Sequence, residues 1–343
     1  MPPYLTAQKS ISTVDEILGP GEKRFFGSGF RRVDYRYHDT KVSAEPDQQK
    51  VEVTSGMTVR YPEDWSRKGT ERKIVPHFST IDALVAAAEL SELCVTGRSG
   101  NGDPETSSAW LRSVRILAGG TPMEELDRIP LRAVRRSLAP LAEDPSWSVS
   151  VVDGTVGNMR VGCEVIHRTG TGPRGEHVYS SPDDVLGEAG DRYFGKGFTS
   201  RRQEIRNVVV DPNGLRARAD LSLHQDGPYA RSGTGLEADY QPSVSMVDGF
   251  VTALQLAQIM LYDLDGIRRE DSNTLWMRQT VLRAARPNRP AGADRVGVTT
   301  TITEPALIRM GGFPWRTGDI VGEFDGLRVT CSVAHRLNEG EDR

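Results

Sequence analysis

The feature that most constrains the fold of this chain is an internal repeat of about half its length. Four blocks recur in the same order: 15–30 with 183–198, 79–93 with 245–259, 110–112 with 276–278, and 160–168 with 328–336. Eight of sixteen positions are identical in the first pair and six of nine in the last, and the offset stays at 166 or 168 residues. Such self-similarity indicates a duplicated structural unit. The sequence therefore predicts two copies of one fold, 1–168 and 181–343, joined by a linker at 169–180.

Each copy contains one stretch that is apolar on almost every face when it is read as a helix. These stretches are 79–93 in the first copy and 245–259 in the second. A helix that is apolar all round and too short to cross a bilayer belongs in the centre of a soluble core. Both stretches open with a serine followed three residues later by an aspartate, which is the spacing of a capping box. We predict one central buried helix in each copy.

The sequence around these helices has the pattern of short strands. In the second copy the predicted strands are 207–210, 215–223, 276–282, 296–303, 319–323 and 327–333, with turns at 211–214 and 324–327. Apolar and polar residues alternate along the last strand, as they do on a half-buried sheet. We therefore predict an α+β fold, a tandem double hotdog in which each unit is an antiparallel sheet wrapped around its central helix. The polar loops 97–104 and 287–294 are either substrate gates or plain connections.

Composition narrows the class of protein. With 37% apolar and 26% charged residues, the chain has enough material for a globular core. Its net charge of −4 is mild and argues against nucleic acid as a partner. It contains neither an apolar run long enough to span a membrane nor a signal-peptide pattern. The three cysteines are far apart, and nucleotide-binding and metal motifs are missing, so we expect a cytoplasmic protein without a cofactor or metal.

Candidate catalytic residues lie on the two predicted helices. A carboxylate on a mostly apolar helix is desolvated, which raises its pKa toward the range useful for acid–base catalysis. Asp82 and Asp248 are candidates for this role, although their positions also fit helix capping. Glu89 is a third candidate. The remaining polar positions on these helices, Glu92, Gln255 and Gln258, are candidates for substrate binding. Glu89 and Glu92 could instead face a solvated groove or pair with an arginine.

A histidine distinguishes the two copies. His77 precedes the first helix, and Ser243 occupies the matching position in the second copy. Loss of a histidine after duplication would leave one competent and one degenerate site, although a surface histidine would give the same pattern. Arg112 and Arg278 each follow a matched tryptophan by two residues, and they could pair with the helix acids or bind an anionic substrate. We predict that the surviving site draws its titrating groups mainly from the first helix and its entrance loop.

Three segments resemble the avirulence protein D (AvrD) family. They are Val14-Asp-Glu-Ile-Leu-Gly19, Arg24-Phe-Phe-Gly-Ser-Gly-Phe30 and Ser245-Met-Val-Asp-Gly-Phe250. That family is similar to the hotdog dehydratases and to A-factor synthase-type proteins. The resemblance implies an acyl-thioester enzyme of secondary metabolism, which joins a β-ketoacyl thioester to a sugar or triose derivative to give a syringolide-like or butenolide-like lactone. An acyl-CoA or acyl-carrier thioester would be the donor, and the protein could act as a homodimer without contacting a membrane.

The hotdog dehydratases suggest one alternative function. They place a histidine in a Gly-His-Phe loop and an acid on the central helix of the partner unit. The pair His77-Phe78 matches part of that loop, and Asp248 or Asp82 would be the acid. Pro76 replaces the glycine, however, and the Pro-Gly step before the helix is missing. Dehydratase, hydratase or thioesterase activity therefore remains an alternative, as does a non-catalytic acyl-lactone binding protein.

Overall fold

The computed structural model describes residues 8–45, 49–66, 75–97, 107–170, 172–230, 233–289 and 295–337. Within these ranges the helices are α1 (Asp15–Leu18), α2 (Thr80–Val95), α3 (Asp183–Leu186) and α4 (Met246–Asp265). The strands are β1 (Lys9–Thr13), β2 (Asp34–Ala44), β3 (Val51–Arg60), β4 (Trp110–Leu117), β5 (Ile129–Pro140), β6 (Trp147–Val156), β7 (Met159–Arg168), β8 (Gly175–Tyr179), β9 (Arg201–Asp211), β10 (Arg216–Gln225), β11 (Leu275–Ala284), β12 (Val296–Met310), β13 (Phe313–Phe324) and β14 (Leu327–Arg336).

All these strands form one sheet, in the order β1-β9-β10-β12-β13-β14-β11-β4-β7-β6-β5-β3-β2-β8. Neighbouring strands are antiparallel throughout, and β11 pairs with β4 at the centre, where Thr280 lies opposite Ile116. Under the sequence offset, β9 to β14 correspond to β2 to β7. The order of corresponding strands is therefore the same on each side of the central pair, as expected for a duplicated unit.

The two outermost strands cross between the halves. Strand β1, near the start of the chain, pairs with β9, and Ile11 lies opposite Val208. Strand β8, which lies in the segment predicted as a linker, pairs with β2, and His177 lies opposite Val42. β1 and β8 correspond to each other under the offset of the repeat. Their exchange joins the halves at both edges of the sheet as well as at its centre.

The two long helices begin with the predicted capping boxes. The Ser79 hydroxyl accepts the Asp82 N–H at 3.2 Å, and the Asp82 carboxylate accepts the Ser79 N–H at 2.7 Å. Ser245 and Asp248 repeat this exchange in α4 at 3.1 and 2.9 Å. Every side chain from Ile81 to Val95 is buried. Helix α2 packs against β3 to β7 and α4 against β9 to β14, so the predicted antiparallel sheet with few helices is confirmed.

Both predicted turns of the second copy join adjacent strands. The turn at 211–214 connects β9 to β10, and the turn at 324–327 connects β13 to β14, with Phe324 opposite Leu327. The loops predicted at 97–104 and 287–294 fall mainly outside the described residues. In the described part of the chain, no helix combines the length and apolar character that a membrane crossing requires.

Close contact between α4 and β13 depends on a glycine. A Cβ added at Gly322 would lie 2.6 Å from the Cβ of Ala253, nearer than such atoms approach in proteins. We expect Gly322→Ala to destabilise the fold by about 1–3 kcal/mol, because overpacking pushes the helix off the sheet. Gly297→Ala on β12 is the matched control, since a Cβ there meets nothing within 4 Å. Urea denaturation of both variants measures the difference, and equal stabilities would contradict this packing.

Candidate active site

A cavity of about 650 Å³ lies where the two halves of the sheet meet. Its wall includes the start of α2, the middle of α4, the beginnings of β7 and β11, and the chain that follows β4. Aromatic and apolar side chains form one part of the wall: Phe25, Phe26, Trp65, Met123, Trp276 and Met277. Polar side chains form another: Arg24, His77, Arg160, Gln258, Arg269 and Arg278. We call this space the open cavity.

His77 lies at the entrance to α2. Its Nδ1 is 3.2 Å from the carbonyl oxygen of Val75. A carbonyl only accepts hydrogen bonds, so Nδ1 is the donor in this contact, and in the neutral imidazole Nε2 keeps its lone pair. The imidazole packs edge-on against Trp65 at 6.0 Å and at a tilt against Trp276 at 5.4 Å, measured between ring centroids. These contacts place a histidine with a basic nitrogen between aromatic rings of both halves.

The open cavity has a positive lining. Arg24, Arg160, Arg269 and Arg278 contribute guanidinium groups, whereas none of the described lining residues is an aspartate or glutamate. Backbone N–H groups at the start of a helix add a partial positive charge, and Ser79 and Thr80 bring the start of α2 to the cavity wall. The electrostatics of this site therefore favour an anionic ligand.

Arg24 is the most buried of these arginines, with 4% exposure. Its Nη1 donates to Gln255 Oε1 at 2.6 Å, and its Nη2 bonds Asp15. Its buried Nε has no hydrogen-bond partner among the described residues. Desolvation lowers the pKa of Arg24, and the positive charge of Arg269 acts in the same direction, although the charges of Asp15 and Glu22 oppose them. Arg24 therefore brings a buried charge to the cavity with one carboxylate partner.

The position equivalent to Arg24 in the other half is Arg192, which has more carboxylate partners. Arg192 Nη1 donates to Glu89 Oε1 at 2.7 Å, and Nη2 donates to Asp183 Oδ1 at 2.6 Å. Glu89 and Arg192 are both buried, and Glu92 also raises the pKa of Arg192 through its charge. We call Glu89, Glu92, Asp183 and Arg192 the counterpart cluster. In the same order, the equivalent positions of the repeat are Gln255, Gln258, Asp15 and Arg24.

A segment of the second half covers the counterpart cluster. The Leu236 N–H donates to Glu92 Oε1 at 3.0 Å, and Glu237 accepts from the Leu111 N–H at 3.2 Å. A Cβ added at Gly235 would lie 2.9 Å from Glu92 Oε1, so the backbone lies directly against this carboxylate. Burial raises the pKa of Glu92 to about 7, although the charge of Arg192 opposes the shift.

Asp82 and Asp248 lie at the starts of the two helices. Asp82 accepts hydrogen bonds from the hydroxyls of Tyr35 and Tyr61 as well as from the Ser79 N–H. Burial raises the pKa of Asp82, although these hydrogen bonds oppose the shift. Asp248 accepts from Arg201 Nη1 at 2.9 Å and from Gln203 Nε2 at 2.7 Å. Neither carboxylate contributes to the lining of the open cavity.

The structure therefore divides the predicted site residues into separate groups. His77, Gln258 and Arg278 line the open cavity, and Gln255 lies behind Arg24. The other predicted residues are elsewhere. Glu89 and Glu92 belong to the counterpart cluster, Asp82 and Asp248 cap helices, and Arg112 pairs with Glu164 at 2.8 Å on the surface of β4 and β7.

Sequence reasoning missed Arg24 and Arg269. Arg24 belongs to the repeated segment 24–30, and the only signal for it was the identity of Arg24 with Arg192. Arg269 lies in a short 3-10 turn after α4, and its Nη2 reaches the Lys23 carbonyl at 3.3 Å. Nothing local in the sequence marks that contact, because Lys23 lies 246 residues away.

These features define an α+β protein with two corresponding halves and a positively charged cavity between them. The chain belongs to the family described as Pseudomonas avirulence D protein (AvrD), whose sequence profile matches residues 9–338. The resemblance to this family is therefore confirmed. None of the curated proteins matches the chain significantly.

Several solved structures share a distant likeness with this chain. A hot dog fold protein of unknown function from Alicyclobacillus acidocaldarius is 9% identical over 87% of this chain and 96% of its own, with a TM-score of 0.32. A trans-AT polyketide synthase dehydratase domain from Brevibacillus brevis is 11% identical over 87% and 96%, with a TM-score of 0.34. The tesB protein of Mycobacterium avium subspecies paratuberculosis is 10% identical over 84% and 94%, with a TM-score of 0.33.

The buried Glu92 makes stability depend on pH. Its folded-state pKa of about 7 lies above the ordinary value of 4.5, so the folded protein binds more protons between these two values. Stability therefore falls as the pH rises through this window. We expect Glu92→Gln to raise the free energy of unfolding by roughly 1–3 kcal/mol at pH 8 and to change it little at pH 4.5.

Denaturation curves at the two pH values test this expectation. Glu323→Gln is the control, because Glu323 forms an exposed pair with Arg328. A Glu92→Gln effect of the same size at both pH values would mean that Glu92 does not titrate as its burial implies.

Proposed function

We propose that this protein is a double-hotdog enzyme, with 1–168 and 181–343 as its units and 169–180 between them. Its proposed reaction transfers a β-ketoacyl group from an acyl-CoA or acyl-carrier thioester to a hydroxyl of a sugar or triose derivative. One observation carries the proposal: among its described lining residues, the open cavity combines one histidine, a helix start and an apolar wall with four arginines and no carboxylate. In this proposal the enzyme acts in the cytoplasm.

The start of α2 gives the thioester carbonyl a place to bind. Ser79 and Thr80 line the cavity beside His77. The capping box uses the N–H groups of Ser79 and Asp82, and those of Thr80 and Ile81 have no acceptor within the helix. They stabilise negative charge that develops on a carbonyl oxygen during attack. The acyl chain would then extend along the apolar wall near Phe25 and Met277, which would exclude water from the thioester.

His77 supplies the base in this mechanism. Its Nδ1 proton is held by the Val75 carbonyl, so Nε2 accepts the proton of the acceptor hydroxyl. The hydroxyl oxygen attacks the thioester carbon, the C–S bond breaks, and the proton passes to the leaving thiolate. The products are a β-ketoacyl ester and a free thiol.

A lactone can follow from this ester without another reactant. The methylene between the two carbonyls of the ester is acidic, and it can attack the ketone of the bound acceptor. Loss of one water then forms a carbon–carbon double bond in a five-membered lactone, which is the butenolide skeleton. The same product would be consistent with the expectation derived from the AvrD resemblance.

The arrangement of acids makes dehydration a weaker proposal. A dehydratase needs a histidine and a carboxylic acid in one site, and His77 shares the open cavity with Gln258 rather than with a described carboxylic acid. The glutamate at the equivalent position, Glu92, lies in the counterpart cluster, on the side where Ser243 replaces the histidine. The histidine and the carboxylic acid therefore lie in two different sites, although both belong to the first half of the chain.

The test is release of thiol from a β-ketoacyl thioester, followed with and without dihydroxyacetone phosphate or xylulose. We expect release that depends on the acceptor. His77→Gln should reduce the rate by about 100-fold or more, because a general base contributes that much to proton transfer. His177→Gln is the matched control, since His177 lies on the edge strand β8 and is not among the residues that line the cavity.

Other outcomes would favour other functions. Thiol release without an acceptor indicates a thioesterase, and an enoyl product with the thioester intact indicates a dehydratase. Tight binding of a butenolide without turnover indicates a binding protein. A His77→Gln enzyme with the wild-type rate would exclude the assigned base.

A further inference from the structure

The lining of the open cavity at Arg24 and Arg269 is positively charged, and the carboxylates that act on Arg24, those of Asp15 and Glu22, lie outside that lining. Both guanidinium groups line the cavity, and Arg269 repels Arg24 closely enough to lower its pKa. Arg24 bonds the carboxylate of Asp15, whose side chain is 51% exposed, so water screens much of its charge. The other bond of Arg24 goes to the neutral amide of Gln255.

The counterpart cluster displays the same arrangement with its charge compensated. There the equivalent arginine, Arg192, bonds the buried carboxylate of Glu89 at 2.7 Å and also contacts Asp183. Glu92, whose pKa is raised to about 7 by burial, adds a second buried carboxyl group on α2. The chain therefore contains two copies of one arginine site, of which one holds two buried carboxylates and the other holds Gln255 and Gln258 in their place.

We infer that the Arg24–Arg269 end of the open cavity, beside Gln258, binds a phosphate-sized oxyanion carried by the acceptor substrate. In the counterpart cluster, the carboxylates of Glu89 and Glu92 take the place of this anion. The inference rests on the proposed function for the identity of the acceptor. It specifies that the acceptor is a phosphorylated ketose or triose rather than an uncharged sugar.

Three physical points support an anion at this position. A buried guanidinium is costly unless an anion or several hydrogen bonds compensate it. The Nε of Arg24 is buried without a partner among the described residues, so that compensation is incomplete. Two guanidinium groups beside one amide also provide the planar donors that bind phosphate through paired hydrogen bonds.

A phosphate could reach this cavity from two sources. It could belong to the acceptor, as we infer, or to the coenzyme A part of the donor. Glycerol 3-phosphate represents the first source, and coenzyme A without an acyl group represents the second. Glycerol is the uncharged reference for the acceptor.

Binding is measured by titration calorimetry on the full-length protein, without any thioester present. We expect glycerol 3-phosphate to bind at least about tenfold more tightly than glycerol, which is the effect of one charge-assisted hydrogen bond. Gln255→Glu should weaken binding of glycerol 3-phosphate by at least about tenfold, since it gives Arg24 the partner that Arg192 already has. Arg269→Gln should weaken it by a similar factor.

Two further variants control for misfolding of Gln255→Glu and for nonspecific effects of removing an arginine. Gln258→Glu puts a carboxylate on the cavity wall at a partly exposed position, so it tests the same subsite if Gln255→Glu unfolds. Arg328→Gln removes an exposed arginine that pairs with Glu323, and it should bind glycerol 3-phosphate as the wild type does. Thermal melting of each variant establishes that it is folded before titration.

The outcomes separate this inference from the proposed function. Equal binding of glycerol 3-phosphate and glycerol, or unchanged binding in folded Gln255→Glu and Gln258→Glu variants, overturns the subsite. Coenzyme A that displaces glycerol 3-phosphate, and that loses affinity in the same variants, assigns the subsite to the donor and overturns our assignment. If glycerol 3-phosphate binds as expected but no thioester is consumed, the subsite stands and the proposed reaction fails.

Discussion

The relative placement of the two halves depends on two buried arginines, each of which reaches from one half to the long helix of the other. Arg192 bonds Glu89 on α2, and Arg24 bonds Gln255 on α4. A buried guanidinium group needs hydrogen-bond or ionic partners. Leaving it unpaired costs more free energy than most single contacts contribute to stability. Each arginine can satisfy this requirement only if the two halves meet in one arrangement. The central pairing of β11 with β4 and the exchanged edge strands agree with that arrangement.

The same pair of contacts explains how one duplicated framework can have two different interiors. Around Arg192, acidic side chains and the segment that contains Leu236 complete the interior with protein groups. Around Arg24, glutamines leave the charge only partly compensated, and a cavity with His77 adjoins it. Few substitutions are needed for this divergence, because a glutamate and a glutamine have nearly the same shape and differ in charge.

The helices, their caps and most strands of the second half could be predicted because each depends on residues close together in sequence. The serine–aspartate spacing of the caps and the apolar pattern of α2 and α4 are examples. The site could be predicted only in part. His77 does line a cavity, but Glu89 and Glu92, expected beside it, face Arg192 and Leu236 instead. A helix apolar on all sides gives no sign of which face will meet the other half.

By itself, the sequence determined that the chain is a duplication, where its two buried helices begin, and that it resembles the AvrD family. These conclusions follow from local patterns and from the comparison of one half with the other. Only the tertiary structure decided which arginine bonds a carboxylate on the long helix of the other half and which bonds an amide there. The paired residues are 103 positions apart in the first case and 231 in the second. It also decided on which side the cavity lies. Such pairings depend on how the surfaces of the two halves pack. Because burial strengthens electrostatic interactions, a single difference in charge then determines how well each arginine is compensated.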